Sequence, residues 1–369
     1  GAKDKIGLRS AVSTTLIATL VCCLFLMAIG FTLGEWILKV INTPSSLVAP
    51  SWTYLWIYLL GLPFLFLYNF STGIFSALGD SKTPFLFLAV SSISNIAVDI
   101  FFVATLGMGV EGVAWATFLC QGVSAVLALL VVRRRIRSEE GEEKAPLFSL
   151  PLLKEFLAVA IPSTLQQSFV SVGNILIQSN INSFGPGVMA GYAGSVKLNN
   201  LVITSFTTIG NGISNYTAQN LGAGKKERIK DGMKAGCAMV WLLSLPIFLL
   251  YFFFSPFLLS LFLESPSPEA LSTGRVFLSI LSPFYFVVSL KLVTDGVLRG
   301  GGEMKAFMIG TFSDLIIRVG LSFILSRTPL GSTGIWLSWP IGWSMGTVLS
   351  LYFYLSFLKK KKKDRVISD

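Results

Sequence analysis

Apolar runs long enough to cross a bilayer constrain this chain before anything else does. A hydrocarbon layer about 30 Å thick needs roughly 20 helical residues at 1.5 Å rise. Ten such runs occur, at approximately 8–33, 52–78, 84–106, 111–132, 152–181, 193–220, 231–263, 270–298, 304–326 and 334–358. No stretch alternates apolar and polar residues as barrel strands do, so helices are the spanning structure that satisfies its own backbone in lipid. The chain is 53% hydrophobic and 13% charged, with a mean hydropathy of +0.71, more apolar surface than a soluble core can hide. The expected fold class is an all-α polytopic membrane protein.

The net charge of +10 raises the question of a nucleic-acid partner, and the placement of the basic residues answers it. Of 29 Lys and Arg, 23 fall in alternate connections and the tail: Lys3 to Arg9, Lys82, Arg133 to Lys154, Lys225 to Lys234, Arg299 with Lys305, and Lys359 to Arg365. The intervening connections, such as Asn42 to Pro50 and Gly185 to Gly191, are nearly bare. This positive-inside asymmetry predicts a cytoplasmic C-terminus, with the Lys359–Lys363 run as its anchor and no nucleic-acid partner.

Four cysteines, Cys22, Cys23, Cys120 and Cys237, fall inside the runs without C-x-x-C spacing and read as small packing residues. The chain has no histidine, which removes His-based triads, His general bases and most zinc enzymes. An enzyme is not expected, nor a cofactor.

The sequence repeats itself. Gly1-Ala2 with a basic stretch recurs as Gly222-Ala223, Gly79-Asp80-Ser81-Lys82 as Gly302-Glu303-Met304-Lys305, and Gly112-Val113 as Gly334-Ile335, at offsets of 221, 223 and 222. The register pairs the first four runs with the last four and leaves the two in 152–220 without counterparts. It predicts a parent of two pseudo-symmetric lobes, six plus six spans, ten of them present, with about 70 or more residues preceding residue 1. A chain without those two spans is expected to be transport-defective. Residues 1–132 are then the N-lobe (spans 3–6 of the parent), 133–151 a cytoplasmic linker bearing Glu139, Glu140, Glu142 and Glu143, 152–358 the C-lobe (spans 7–12), and 359–369 a basic tail.

Ala218-Gln219-Asn220-Leu221-Gly222-Ala223-Gly224-Lys225 resembles the Q-N-x-G-A-x-K loop of the multidrug and toxic compound extrusion (MATE) family. Leu78-Gly79-Asp80-Ser81-Lys82-Thr83-Pro84 resembles its G-D-x-K-x-P loop, Val297 to Glu303 its L-R-G-x-G-[DE], and Ala160-Ile161-Pro162-Ser163 its entry to the seventh span. The resemblance implies a secondary exporter in the cell membrane, a monomer with a cavity between two lobes that exchanges small cationic amphipathic compounds for H⁺ or Na⁺.

Asp99 lies mid-run, with Asn95 one helical turn before it. A carboxylate at that depth costs about 2.5–3.5 kcal/mol to insert and by default marks function. By resemblance, Asn95 and Asp99 match the N-x-x-x-D of the family's fifth span and Thr117 its sixth-span hydroxyl, together implying a cation-coupling site for H⁺ or possibly bound Na⁺, completed by an acid from the first span. Two polar stripes at spacings of three or four mark candidate cavity faces. Gln167, Ser171, Asn174 and Gln178 form one, and Asn200, Thr204, Thr208 and Asn211 the other. Asp314 and Arg318, four apart, are expected to form a structural ion pair, and Lys291 with Asp295 repeats the spacing. Pro63, Pro162, Pro246, Pro283 and Pro340 mark places where a span can bend. The functional expectation is cation-coupled multidrug efflux; the alternative is a lipid-linked oligosaccharide or polysaccharide flippase of the same superfamily.

Overall fold

The structure, a computed structural model, describes residues 4–40, 45–137, 145–263 and 267–366, with the side chains of 40, 45–46 and 360–366 left aside. The acidic run Glu139–Glu143 and the end of the tail lie outside the described residues. Eleven α-helices follow one another: α1 (Lys5–Val40), α2 (Ser45–Ala77), α3 (Lys82–Ile100), α4 (Gly109–Arg137), α5 (Leu150–Asn182), α6 (Pro186–Gly222), α7 (Arg228–Ser260), α8 (Pro268–Leu281), α9 (Tyr285–Gly300), α10 (Met304–Leu325) and α11 (Ser332–Val366). No strand occurs among the described residues. Nine segments there are long and apolar enough to cross a membrane, with α8 and α9 counted as one. The exception is α6, 37 residues long but too polar in composition, because its Asn and Thr stripe offsets its apolar residues. Long apolar side chains such as Leu24, Phe25, Ile93, Leu242 and Ile316 stand exposed, as lipid-facing residues must.

Two compact units form. Residues 3–157 make one and residues 158–369 the other, with α5 running unbroken through the boundary. The start of α5 is tied to the first unit, where the Ser149 amide donates to Thr14 Oγ1 at 3.0 Å. In that unit α2 packs against α1, α3 and α4. Gly30 and Gly34 of α1 accept Leu59 and Trp52 of α2, and Gly122 of α4 accepts Phe64, whose ring meets Phe118 edge-on at 5.2 Å.

The second unit is built on a column of aromatics between α6, α8, α9 and α11. Tyr192 stacks on Trp336 with ring centroids 5.5 Å apart, and Phe277 meets both Trp336 and Trp339 edge-on. Buried phenols favour hydrogen-bond partners, and two of them have one: Tyr251 donates to the Leu198 carbonyl and Tyr285 to Asn199 Oδ1. Helices α6 and α9 approach so closely that a Cβ built at Gly210 would lie 2.6 Å from the Leu292 carbonyl oxygen, while one at Gly296 would collide with the Gly210 carbonyl. Gly296→Val should therefore force these helices apart at a cost of about 1–3 kcal/mol. A wild-type thermal midpoint in detergent for that variant would contradict this packing.

The sequence repeat has a structural counterpart in the turns. After α2, Gly79 adopts φ 81° while Gly79 and Asp80 donate to Ser76 and Phe75; after α9, Gly302 adopts φ 77° while Gly302 and Glu303 donate to Arg299 and Leu298. These are the same Schellman turn, in which a residue with positive φ closes a helix, and glycine is the residue that takes that conformation without strain. Asp80 then caps α3: its carboxylate accepts from the Thr83 hydroxyl and from the amides of Thr83 and Lys82. Those bonds, the hydroxyl's first, hold its pKa below the usual carboxylate range.

The prolines act unequally. Pro283 breaks its span, where the turn Ser282–Phe284 separates α8 from α9, whereas Pro63 leaves α2 continuous. In α7 the backbone leaves helical geometry at Phe254 (φ −113°, ψ 16°), two residues before Pro256, a proline not among those singled out from the sequence. The ring of a proline disfavours helical geometry in the residues just before it.

Candidate functional site

In the second unit, one face of α5 and one of α6 meet residues of α9, α10 and α11 around a cavity of about 620 Å³. Its α5 and α6 walls are mostly polar, and α9, α10 and α11 bring charged, apolar and aromatic side chains. Of the eight stripe residues, Gln167, Asn174, Asn200, Thr204, Thr208 and Asn211 line it. Ser171 and Gln178 do not: the Ser171 hydroxyl donates to the Gln167 carbonyl of its own helix and the exposed Gln178 amide to Asn182 Oδ1. Gln166 lines the cavity beside Gln167, and Thr207 beside Thr208.

Five charged residues, Lys291, Asp295, Arg299, Asp314 and Arg318, border the same space. Lys291 Nζ donates to Asp295 Oδ2 at 2.8 Å, with both side chains about 95% buried, and Ser350 donates to the other oxygen, Oδ1, at 2.6 Å. This is the i, i+4 pair expected from the spacing. Glycines on α11 make room for it, since a Cβ at Gly346 would lie 2.6 Å from Lys291 Cε and 3.0 Å from Asp314 Cβ. Arg299 is also committed, donating to Asn211 Oδ1 and lying over the Phe307 ring.

The ion pair expected between Asp314 and Arg318 is not formed among the described residues, and this corrects the reading made from spacing alone. The Arg318 guanidinium lies 4.5 Å from the centroid of the Trp339 ring, on α11. Asp314 Oδ1 and Arg318 Nε are both buried without a hydrogen-bond partner. Spacing on one helix permits a pair, but a desolvated guanidinium gains from an aromatic face supplied by a neighbouring helix.

The residues assigned to cation coupling lie in the first unit. Asn95 and Asp99 share a face of α3, a helix without a fully buried residue. Asn95 Nδ2 and Asp99 Oδ1 are nonetheless buried atoms without a partner, and Asp99 lies within electrostatic range of Cys120 on α4. The Ser91 hydroxyl, a turn further back, reaches the Cys120 carbonyl at 3.5 Å. Just past Asp99 the helix widens into a π-helical turn over Phe101–Thr105, a distortion that recurs at functional positions and has no signature in the sequence. Thr117 lines a void of about 10 Å³ with Tyr54, Tyr58 and Gln121, large enough for about one water and bordered by residues of α2 and α4. Among the described residues no group of three or more Cys, Asp and Glu is placed to hold a metal ion.

Comparison with known proteins agrees with this architecture. A family model described as MatE matches residues 1–101 and 162–324, more than half of the chain. Two curated relatives are probable multidrug resistance proteins of Bacillus subtilis (strain 168). YpnP is 27% identical over 334 residues, covering 89% of this chain and 73% of the relative; YoeA is 29% identical over 375 residues, covering 98% and 80%. A solved MOP superfamily transporter from Pyrococcus furiosus superposes with a TM-score of 0.89 at 22% identity, covering 98% of this chain and 81% of that one. The chain is thus a member of the MatE family, an all-α multi-pass membrane protein of the MATE multidrug efflux transporters.

Proposed function

We propose that the protein exports cationic amphipathic compounds by alternating access, driven by an inward gradient of H⁺ or Na⁺ that acts at Asp99. The observation that carries this reading is the Asn95–Asp99 pair: two buried polar atoms without partners, one helical turn apart on α3. A buried group left unsatisfied costs about 1–3 kcal/mol, and an arriving cation relieves that cost at the carboxylate. A cation that binds one arrangement of the transporter better than the other shifts the balance between them; a substrate with the opposite preference is thereby exchanged for it. The cavity of about 620 Å³ in the second unit has the size of a drug-sized site and offers amides and aromatic faces to such a substrate.

The charge distribution supports a cytoplasmic C-terminus in the cell membrane. The reading takes residues 1–132 and 152–358 as the two lobes of a monomer, joined by the 133–151 linker, and needs no cofactor. The multidrug-resistance names of the relatives favour export over the flipping of lipid-linked sugars.

The test is the full-length protein in proteoliposomes, with uptake of a cationic dye followed under an imposed pH gradient and, separately, an imposed Na⁺ gradient. Uptake under one gradient and not the other names the coupling ion. Indifference to both, accompanied by scrambling of a labelled lipid, would establish the flippase instead.

A further inference from the structure

We infer that the first unit binds an anionic phospholipid on the outer face of α4, with the headgroup phosphate held by Arg134 and Arg137 and an acyl chain lying along the apolar stripe that precedes them. The inference is independent of the efflux reading. Its basis is the pattern of exposed side chains toward the C-terminal end of α4.

Leu119, Val123, Val126 and Leu130 recur at spacings of three and four and are between 46% and 61% exposed, so they share one unpacked face of α4. The same spacing carried onward brings Arg133 or Arg134 and then Arg137, all exposed, onto that face. From Leu119 to Leu130 the helix rises about 16 Å, close to the roughly 15 Å that one leaflet contributes to the hydrocarbon layer. The guanidiniums therefore begin at the depth of the lipid phosphates. No carboxylate interrupts the stripe, because the acid of this helix, Glu111, stands in its first turn at the opposite end.

The arginines on that face are free to take such a partner. Arg135 has a carboxylate of its own, since it lies within electrostatic range of Asp80, the residue that caps α3. Arg133, Arg134 and Arg137 make no hydrogen bond or ion pair among the described residues. Like charges one turn apart, as at Arg133 and Arg137, destabilise a helix; the carbonyl end of the helix dipole offsets part of that, and an anion between them offsets more. A guanidinium fork also matches two phosphate oxygens at once. Lys82, exposed at the start of α3 with its amide on Asp80, adds positive charge at the same end. A soluble phosphate would use the arginines and leave the apolar stripe idle, and a zwitterionic lipid would use the stripe but bring a cation to the arginines. An anionic phospholipid uses both.

Native mass spectrometry of the full-length protein in detergent, titrated with dioleoyl phosphatidylglycerol or dioleoyl phosphatidylcholine, reads the affinity for the first lipid bound. Phosphatidylglycerol is expected to bind about tenfold tighter. Arg134→Gln combined with Arg137→Gln should bring the two lipids within about twofold of each other. Lys230→Gln combined with Lys234→Gln, which removes a basic pair from α7 in the second unit, should keep the preference. Should the double arginine variant fail to fold, each single change is expected to reduce the preference about threefold. Equal affinity for the two lipids, a preference that survives the loss of both arginines, or one that disappears with Lys230 and Lys234 instead overturns the inference. Glycerol 3-phosphate carries the phosphate without the chains and should leave the bound lipid in place at equal concentration. Displacement by it would mean a site for a soluble phosphate and would overturn the inference as well.

Discussion

Asp99→Asn is expected to lower gradient-driven export by about 5- to 150-fold, the span of a typical coupling free energy between two sites, while leaving the protein folded. The substitution keeps the shape of the side chain and removes its ability to change charge. Because a neutral amide is cheaper than a carboxylate at that depth, yield and thermal midpoint should be unchanged or improved. A merely structural carboxylate would give the opposite pattern, a loss of stability with little loss of coupling. Asn95→Ala, which takes the neighbouring amide from the same helix face, should have a smaller effect in the same direction. Proteoliposome flux under a fixed gradient, compared with dye binding in the absence of one, separates the outcomes. Wild-type flux by Asp99→Asn would place the coupling elsewhere.

The second large effect is expected on stability. Asp295→Ala leaves Lys291 Nζ buried without its counter-ion and Ser350 without its acceptor, and removal of one partner from a buried pair costs about 3–5 kcal/mol. Asp314, within electrostatic range of Lys291, offers partial compensation, which moves the expected value toward the lower end. The double change Lys291→Met with Asp295→Leu should recover most of the loss, because an apolar pair of similar volume needs no desolvation. Thermal unfolding in detergent measures all three proteins. Should the double variant be no more stable than Asp295→Ala, the loss comes from packing around α9 and not from an orphaned charge.

Much of this was open to inspection in the sequence. Apolar runs predicted the helices because lipid offers the backbone no alternative partner; nine of the ten expected runs stand among the described residues as helical segments long and apolar enough to span, and the tenth forms α6, a helix too polar to count among them. The turn glycines Gly79 and Gly302 were marked by the repeat because a positive φ selects glycine strongly. The polar stripes of α5 and α6 were legible as faces because both sides of each i, i+4 relation lie on one helix. Ser171 and Gln178 share the α5 stripe without lining the cavity: periodicity gives the face, but not which of its side chains bond within their own helix.

The interhelical features were not legible. Arg318 meets Trp339 across two helices, and the spacing of Asp314 and Arg318 pointed to a pair that the indole displaces. Thr117, matched by resemblance to the hydroxyl beside Asp99, also lines a small void against α2, a contact that its place in the sequence does not reveal. The widening of the helix after Asp99 and the kink at Phe254 depend on how the helices pack and carry no distinctive residue pattern of their own.

The sequence by itself determined that the chain forms membrane-crossing helices, where their glycine turns fall, and that Asp99, Lys291, Asp295, Asp314 and Arg318 are the costly charges within them. Hydropathy, φ preference and the expense of a charge in hydrocarbon are properties of single residues and their near neighbours along the chain. Only the tertiary structure decided which charges meet a counter-ion, as Lys291 meets Asp295, and which meet an aromatic ring, as Arg318 meets Trp339. That outcome depends on angstrom-scale distances between helices, and on glycines such as Gly342 and Gly346 whose missing side chains leave the space those charges occupy.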